Sequence, residues 1–300
     1  MNTPFELPPI CRAPLLPAEP LAKYTAARLG GPADWLYIAR ESVDELAALL
    51  TAAWAADLPV RVIGGGANVL VSDAGVRGLV IVNSVSRADF AADHTCAVTS
   101  GHGLTPLARK CAVRGLAGFE WAVSVPGTVG GAVVGNAGAH GGDMAGNLIA
   151  VDLLDAAHGY VTLSRDDLAY SYRTSSLKLR ADRRFVVLGA RLVFTPDARA
   201  AIEARMAEFI AHRKRTQPPG ASLGSIFKNP PGDYAGRLIE SCGLKGLVIG
   251  GAQVSPVHAN FFVNRGDASA TDYLALVRHV QGRVAEQTGV HLEPEIELLG

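Results

Sequence analysis

The stretch VRVIGGGANVLVSD, Val60 to Asp73, sets Gly64, Gly65 and Gly66 directly behind a run of alternating character. VRVI reads as a strand, and a glycine turn after a strand can aim consecutive backbone N–H groups at an anion, because no Cβ stands in the way. Asn68 and Ser72 can add side-chain donors. The spacing is neither GxGxxG nor GxxxxGK[ST], so the usual dinucleotide and nucleoside-triphosphate signatures are absent. A tight structural turn would call for the same glycines.

Outward from this turn, Ser42 to Glu45 reads as a capping box, followed by Leu46, Leu49, Leu50, Ala53 and Trp54 on one helical face. GLVIVN, Gly78 to Asn83, reads as a second strand, and the proline-rich residues 1–20 as an irregular arm. From about 86 to 195 the pattern changes to strand-like runs, CAVTSG and FVVLGARLVF, with one helix beginning at Thr105-Pro106. Between them, SVPGTVGGAVVGNAGAHGGD, Ser124 to Asp143, holds seven glycines. So many weaken a regular helix, and the small apolar residues between them argue against a linker, leaving packed turns or close approach to a large flat ligand. A helix over Ala201 to Arg215 ends before Thr216-Gln-Pro-Pro, a boundary signal. Beyond it come a helix near Tyr234 to Cys242, strands LVIGG and ANFFVN, a long helix from Thr271, and the ending LEPEIELLG.

The chain has 300 residues, with 28 basic and 28 acidic side chains and a formal charge of zero. That balance offers no global field to gather nucleic acid or an anionic membrane, and favours a small or acidic ligand. Cys11, Cys96, Cys111 and Cys242 show no CxxC or finger spacing, and the histidines form no HExxH, so no metal site is expected. Reduced thiols, the absence of a basic segment leading an apolar signal core, and the lack of any apolar run of roughly 18 residues point to a cytoplasmic location without membrane insertion.

Chemistry concentrates in two segments. In GASLGSIFKNP, Gly220 to Pro230, Ser225 lacks the GxSxG elbow of an acyl nucleophile, and none of His212, His258, His279 or His291 is marked as its base. A loop serine is the ordinary reading. Lys228 and Asn229 suit a phosphate and its neighbours, or a solvated turn before Pro230. In LAYSYRTSSLK, Arg173 offers a forked, permanent charge for a carboxylate or enolate, as well as for an ordinary salt bridge. Glu293 and Glu295 alternate with apolar residues near the C-terminus and can face solvent or relay a proton.

The ordered set YTAARLGGPAD, VIGGGANVLVSD, SVPGTVGGAVVGNAGAHGG, YRTS, GSIFKNP, AGRLIESCGLKG and LEPEIELLG resembles the UDP-N-acetylenolpyruvoylglucosamine reductase (MurB) family over about residues 20–300. The short linkage between YRTS and GSIFKNP resembles the compact type II form. The resemblance implies an α+β fold of three domains: 1–85 and 86–200 as a two-part vanillyl-alcohol-oxidase-like FAD-binding region, and 201–300 as an α+β substrate-binding domain. It implies FAD as cofactor, NADPH as reducing cosubstrate and UDP-N-acetylglucosamine enolpyruvate as substrate; a monomer or a weak dimer is expected. Arg173 then orients the enolpyruvyl carboxylate, Ser225 donates a proton, Glu295 assists, and Lys228 and Asn229 hold the nucleotide sugar. Cofactor contacts fall on Tyr24, Thr25, Arg28 and Gly30, then on Gly64, Gly65, Gly66, Ala67, Asn68, Val69 and Ser72. They continue on Ser124, Pro126, Gly127, Thr128 and Gly131, and on Gly135, Asn136 and Ala137 toward the flavin. Ala27, Thr174, Ser175 and Glu297 depart from the family pattern, and Glu297 puts a negative charge near Glu295. Two rivals stand beside this reading: another flavoprotein, such as an oxidase of a sugar or aromatic substrate, and a noncatalytic nucleotide-binding module.

Overall fold

Val60–Ile63 forms the expected strand and pairs in parallel with Leu79 to Val82 of the strand Val76–Asn83. The computed structural model describes residues 6–300. Over that range the fold is α+β and divides into two compact units, each assembled from separate runs of sequence. The first takes the chain up to Leu16, then Trp35–Gly65 and Gly78–His212; the second takes Pro17–Asp34, Gly66–Arg77 and Arg213–Gly300.

In the first unit, helix α1, Val43–Ala55, is capped by Ser42, whose hydroxyl accepts from Glu45 N at 3.0 Å. The reciprocal half of the capping box is not made. Glu45 is fully buried, and its carboxylate instead accepts from Tyr37 Oη at 2.5 Å and from Arg40 N and Glu41 N at 3.1 and 3.0 Å. Leu46, Leu49 and Leu50 pack with Leu79 and Ile81, and with Leu154, Val186 and Leu188 of a second sheet. That sheet is antiparallel throughout, in the order Gly159–Ser164, Leu148–Asp155, Phe185–Val193, Thr95–Thr99, Ala88–Phe90. Because side chains alternate along a strand, Leu153 and Val187 point to its other face. There they join a second core with helices α2, Leu104–Val113, and α3, Val129–Gly135.

Two expectations change here. The glycine-rich segment does hold a regular helix, since α3 fits seven residues between its turns. Its glycines serve contact, because a Cβ at Gly130 would lie 2.9 Å from Ser100 Cβ. The arm at residues 1–20 lies partly outside the described residues, and Leu16–Pro20 is an edge strand, the position where proline's missing N–H is tolerated. The short helix α4, Met144–Asn147, is capped by Asp143, and α5, Arg199–Thr216, carries the chain into the second unit.

The second unit holds an antiparallel sheet in the order Ala221–Ser225, Phe261–Asn264, Ala252–Val254, Val248–Ile249. Helices α6, Ala235–Ser241, and α7, Ala270–Thr288, cover its core, α7 burying Tyr273, Leu276, Val277, Val280 and Val284. Ala27, Leu29 and Leu70 belong to the same core. The last strand, Glu297–Leu299, pairs in parallel with Val69–Val71. Asp73 accepts from Ala270 N and Thr271 N, both at 2.8 Å, and from Thr271 Oγ1 at 2.6 Å, and so caps α7 from outside. Among the described residues no helix is long and apolar enough to cross a membrane.

Candidate functional site

The two glycine clusters meet in the first unit. A Cβ at Gly64 would fall 2.2 Å from Thr128 Oγ1, and one at Gly65 would fall 3.2 Å from Gly127 Cα. Behind them, Gly127 O accepts from Leu104 N and His102 O accepts from Val129 N, so Gly127 to Val129 is fixed on the chain leading into α2. Ser124 Oγ, three residues before Gly127, is buried with no hydrogen-bond partner among the described residues. A buried hydroxyl without a partner is expensive, and a polar ligand would satisfy it. Facing glycine turns plus an orphaned donor fit a cofactor with a pyrophosphate.

In the second unit Gly66, with φ +57°, lies against the Tyr24-Thr25 segment; a Cβ there would come within 2.0 Å of Tyr24 O, and Ala26 N donates to Gly66 O. Thr25 folds back locally, its Oγ1 donating to Leu29 O at 2.7 Å and accepting from Leu29 N at 3.1 Å. Arg28 has φ +57°, and Gly30 touches Val71. Asn68 links this region to the C-terminus: its Nδ2 donates to Glu295 O at 3.0 Å, and its O accepts from Glu297 N at 2.9 Å.

Ser225 ends the strand Ala221–Ser225, just past a register shift between Ser222 and Ser225 that contains Gly224, φ +76°. Past it the chain runs against the C-terminal segment: Glu295 N donates to Ile226 O at 2.8 Å and Lys228 N to Glu293 O at 2.9 Å. Ser225 and Glu295, far apart in sequence, thus sit on adjoining backbone. Lys228 Nζ pairs with the exposed Glu293 at 2.6 Å. Asn229 Oδ1 accepts from Ala235 N at 3.1 Å at the start of α6.

Arg173 belongs to the first unit. It sits at the tip of a tight turn closed by Ser171 N to Thr174 O and Thr174 N to Ser171 O, both 3.1 Å, with φ +56°, which is uncommon outside glycine. Its guanidinium donates to Gly138 O at 2.7 Å and to Asn136 O at 3.5 Å. On either side, Tyr170 Oη donates to Val133 O at 2.8 Å and Ser175 Oγ to Val134 O at 2.6 Å. Burial first, and Asp143 second, push the Tyr170 phenol above its ordinary value, which keeps it a donor. Asn136, left-handed at the end of α3, donates from Nδ2 to Ser171 O and Asp143 Oδ2 and accepts from Ala145 N.

A family model described as UDP-N-acetylenolpyruvoylglucosamine reductase, C-terminal domain, matches residues 215–299, and one described as FAD binding domain matches 36–164. The UDP-N-acetylenolpyruvoylglucosamine reductase of Synechococcus sp. (strain WH7803) is 47% identical over 291 residues, 94% of this chain and 92% of that one. That of Agathobacter rectalis is 43% identical over 300 residues, 95% and 94% of the two chains. The crystal structure of UDP-N-acetylenolpyruvylglucosamine reductase (MurB) from Thermus caldophilus matches with a TM-score of 0.81 at 37% identity, covering 96% of this chain and 99% of that chain. The chain belongs to the UDP-N-acetylenolpyruvoylglucosamine reductase family.

Within this reductase family member, some expected contacts are already made to protein. The side chain of Asn136 is spent on Ser171, Asp143 and Ala145, and Thr25 Oγ1 on Leu29. Sequence reasoning missed Asn260, buried beside Ser225. Its Oδ1 accepts from Phe227 N at 3.0 Å and its Nδ2 donates to Phe227 O at 2.8 Å, standing in for a neighbouring strand. Nothing in ANFFVN announces that role, because the pairing is with a segment 33 residues away. Tyr170 escaped for the same reason, and Ser175 stood only as a departure from the family pattern: their partners are carbonyls of α3.

Proposed function

We propose that this family member reduces UDP-N-acetylglucosamine enolpyruvate to UDP-N-acetylmuramate with electrons from NADPH, acting as a cytoplasmic monomer. The observation that carries the reading is the adjoining of Ser225 and Glu295 through Glu295 N and Ile226 O, in a chain of this family. We assign residues 1–85 and 86–200 to the two parts of a vanillyl-alcohol-oxidase-like FAD region, and residues 201–300 to the substrate domain. The cradle of Gly64, Gly65, Gly127 and Thr128, with Ser124, would hold the pyrophosphate, and resemblance to the family supports cofactor contacts on Tyr24 to Gly30 and Gly66 to Ser72. FAD, when bound, supplies the two-electron chemistry between nicotinamide and the enolpyruvyl group.

The chain's own residues handle charge and the proton. Arg173, its guanidinium fixed on two carbonyls, receives the substrate carboxylate, where negative charge grows as C3 gains a hydride. Ser225 Oγ delivers the proton to C2. Placement compensates for serine's weak acidity, because the carbon is a strong base at that stage. Glu295 supports the same end of the substrate by hydrogen bonding, and Lys228 with Asn229 holds the diphosphate.

Anaerobic stopped-flow spectroscopy tests this in two stages. In the Ser225→Ala enzyme NADPH still bleaches the flavin, whereas return of colour on adding UDP-N-acetylglucosamine enolpyruvate slows by roughly 10²–10⁴-fold or more. Colour returning at the wild-type rate would remove Ser225 from the mechanism.

A further inference from the structure

The C-terminal end of α3 receives a row of donors from one short segment. Val133 O takes Tyr170 Oη, Val134 O takes Ser175 Oγ, and Asn136 O and Gly138 O take the Arg173 guanidinium. Carbonyls at a helix C-terminus have no partner within the helix and carry its partial negative charge. Here they form a docking strip for residues 170–175. Ser175 is fully buried and also accepts from Lys178 N at 3.1 Å, so its hydroxyl is held from both sides. The turn at Ser171 to Thr174 is held by its two backbone bonds, by Asn136 Nδ2 donating to Ser171 O and by Lys178 Nζ donating to Arg173 O at 3.4 Å. It keeps Arg173 left-handed.

We infer that Tyr170 and Ser175 are positioning residues: their hydroxyls pin both ends of the Arg173 turn to α3 and so fix where the guanidinium stands when it meets the substrate carboxylate. The inference rests on the reading of Arg173 given above. Neither hydroxyl touches substrate in this scheme, and each acts only through Arg173. A guanidinium that wanders by an ångström loses the orientation on which a charge-stabilising contact depends, while its charge is unchanged.

The test is a double-mutant cycle in flavin-loaded enzyme. Tyr170→Phe and Ser175→Ala each remove one hydroxyl at nearly constant shape, and each is made with Arg173 present and in Arg173→Ala. The rate followed is reoxidation of NADPH-reduced enzyme by UDP-N-acetylglucosamine enolpyruvate. With Arg173 present, each change should slow it about 10-fold; in Arg173→Ala, by less than about 2-fold, because the group being positioned is gone. Amide exchange at Ser171 and Thr174 should quicken in both single variants. Equal losses in the two backgrounds, no loss with Arg173 present, or a slowed rate with full protection of those amides would each overturn the inference. Should one variant fail to load flavin, the other decides. Arg173→Ala reoxidising at the wild-type rate is a separate signature: it overturns the role of Arg173 itself, and the inference falls with it.

Discussion

Gly66 and Gly131 sit in the two glycine clusters and are held there by different constraints. Gly66 has a left-handed backbone and faces a carbonyl 2.0 Å from where a Cβ would stand, whereas a Cβ at Gly131 would meet its nearest atom, Thr128 Oγ1, at 4.0 Å. Gly66→Ala is therefore expected to lower stability by about 2–4 kcal/mol through strain and a backbone clash. Gly131→Ala, inside α3, should stay within about 1 kcal/mol. Urea unfolding of the two variants separates the cases, and an undisturbed Gly66→Ala would show that the Tyr24 segment gives way easily. The sequence displayed both glycines equally well. What it lacked was the partner of Gly66 across the turn, since Tyr24 is remote from it in the chain. The same holds for Ser225, whose companion Glu295 could be named from family resemblance and placed only by the fold.

At the scale of elements, two carboxylates tie strands and helices to distant loops. Asp155 closes the strand Leu148–Asp155, pairs with Arg180 at 2.6 Å and accepts from Ala157 N and His158 N. Burial pushes its pKa up, but the Arg180 contact, the Ala157 N–H and the His158 ring outweigh it and bring it to about 2. The folded value lies below the unfolded one, about 3.9. Its stabilisation is therefore full above about pH 4 and is lost as pH falls toward 2. Urea midpoints of wild type and Asp155→Asn should differ at pH 6 and converge toward pH 2; a constant gap would place its contribution outside titration. Asp73 caps α7 in the same spirit, and Asp73→Ala should lower stability by about 1–2 kcal/mol, read from thermal unfolding. Most of the elements were legible: α1, α5, α7 and the strands at Val60, Val76 and Phe185 follow from period and caps. The others were harder for local reasons. Helix α3 hides in glycine because packing against Ser100 chooses small residues, and Glu45 imitates a capping-box residue while serving Tyr37 and the turn before it.

Across the whole molecule, chain order and fold order part company. The core beneath α7 includes Ala27, Leu29 and Leu70, and the last strand rests on Val69–Val71. An excised fragment of residues 213–300 is thus expected to lack part of its core and one strand partner, and to show weak near-ultraviolet dichroism and rapid amide exchange. A sharp cooperative melt of that fragment would contradict the account. Reading along the sequence naturally yields consecutive domains, because periodicity carries no notice that a segment will be lent to a partner more than two hundred residues later. The pairing of Glu297 with Val69 also sets a timetable. On a ribosome adding roughly 5–20 residues each second, Val69–Val71 waits on the order of ten to fifty seconds for its neighbour to be made. For that interval a nascent strand and the apolar side chains of Leu29 and Leu70 stand uncovered. Chaperone capture during synthesis should therefore concentrate on the early chain and release it only once Glu297–Leu299 has been made.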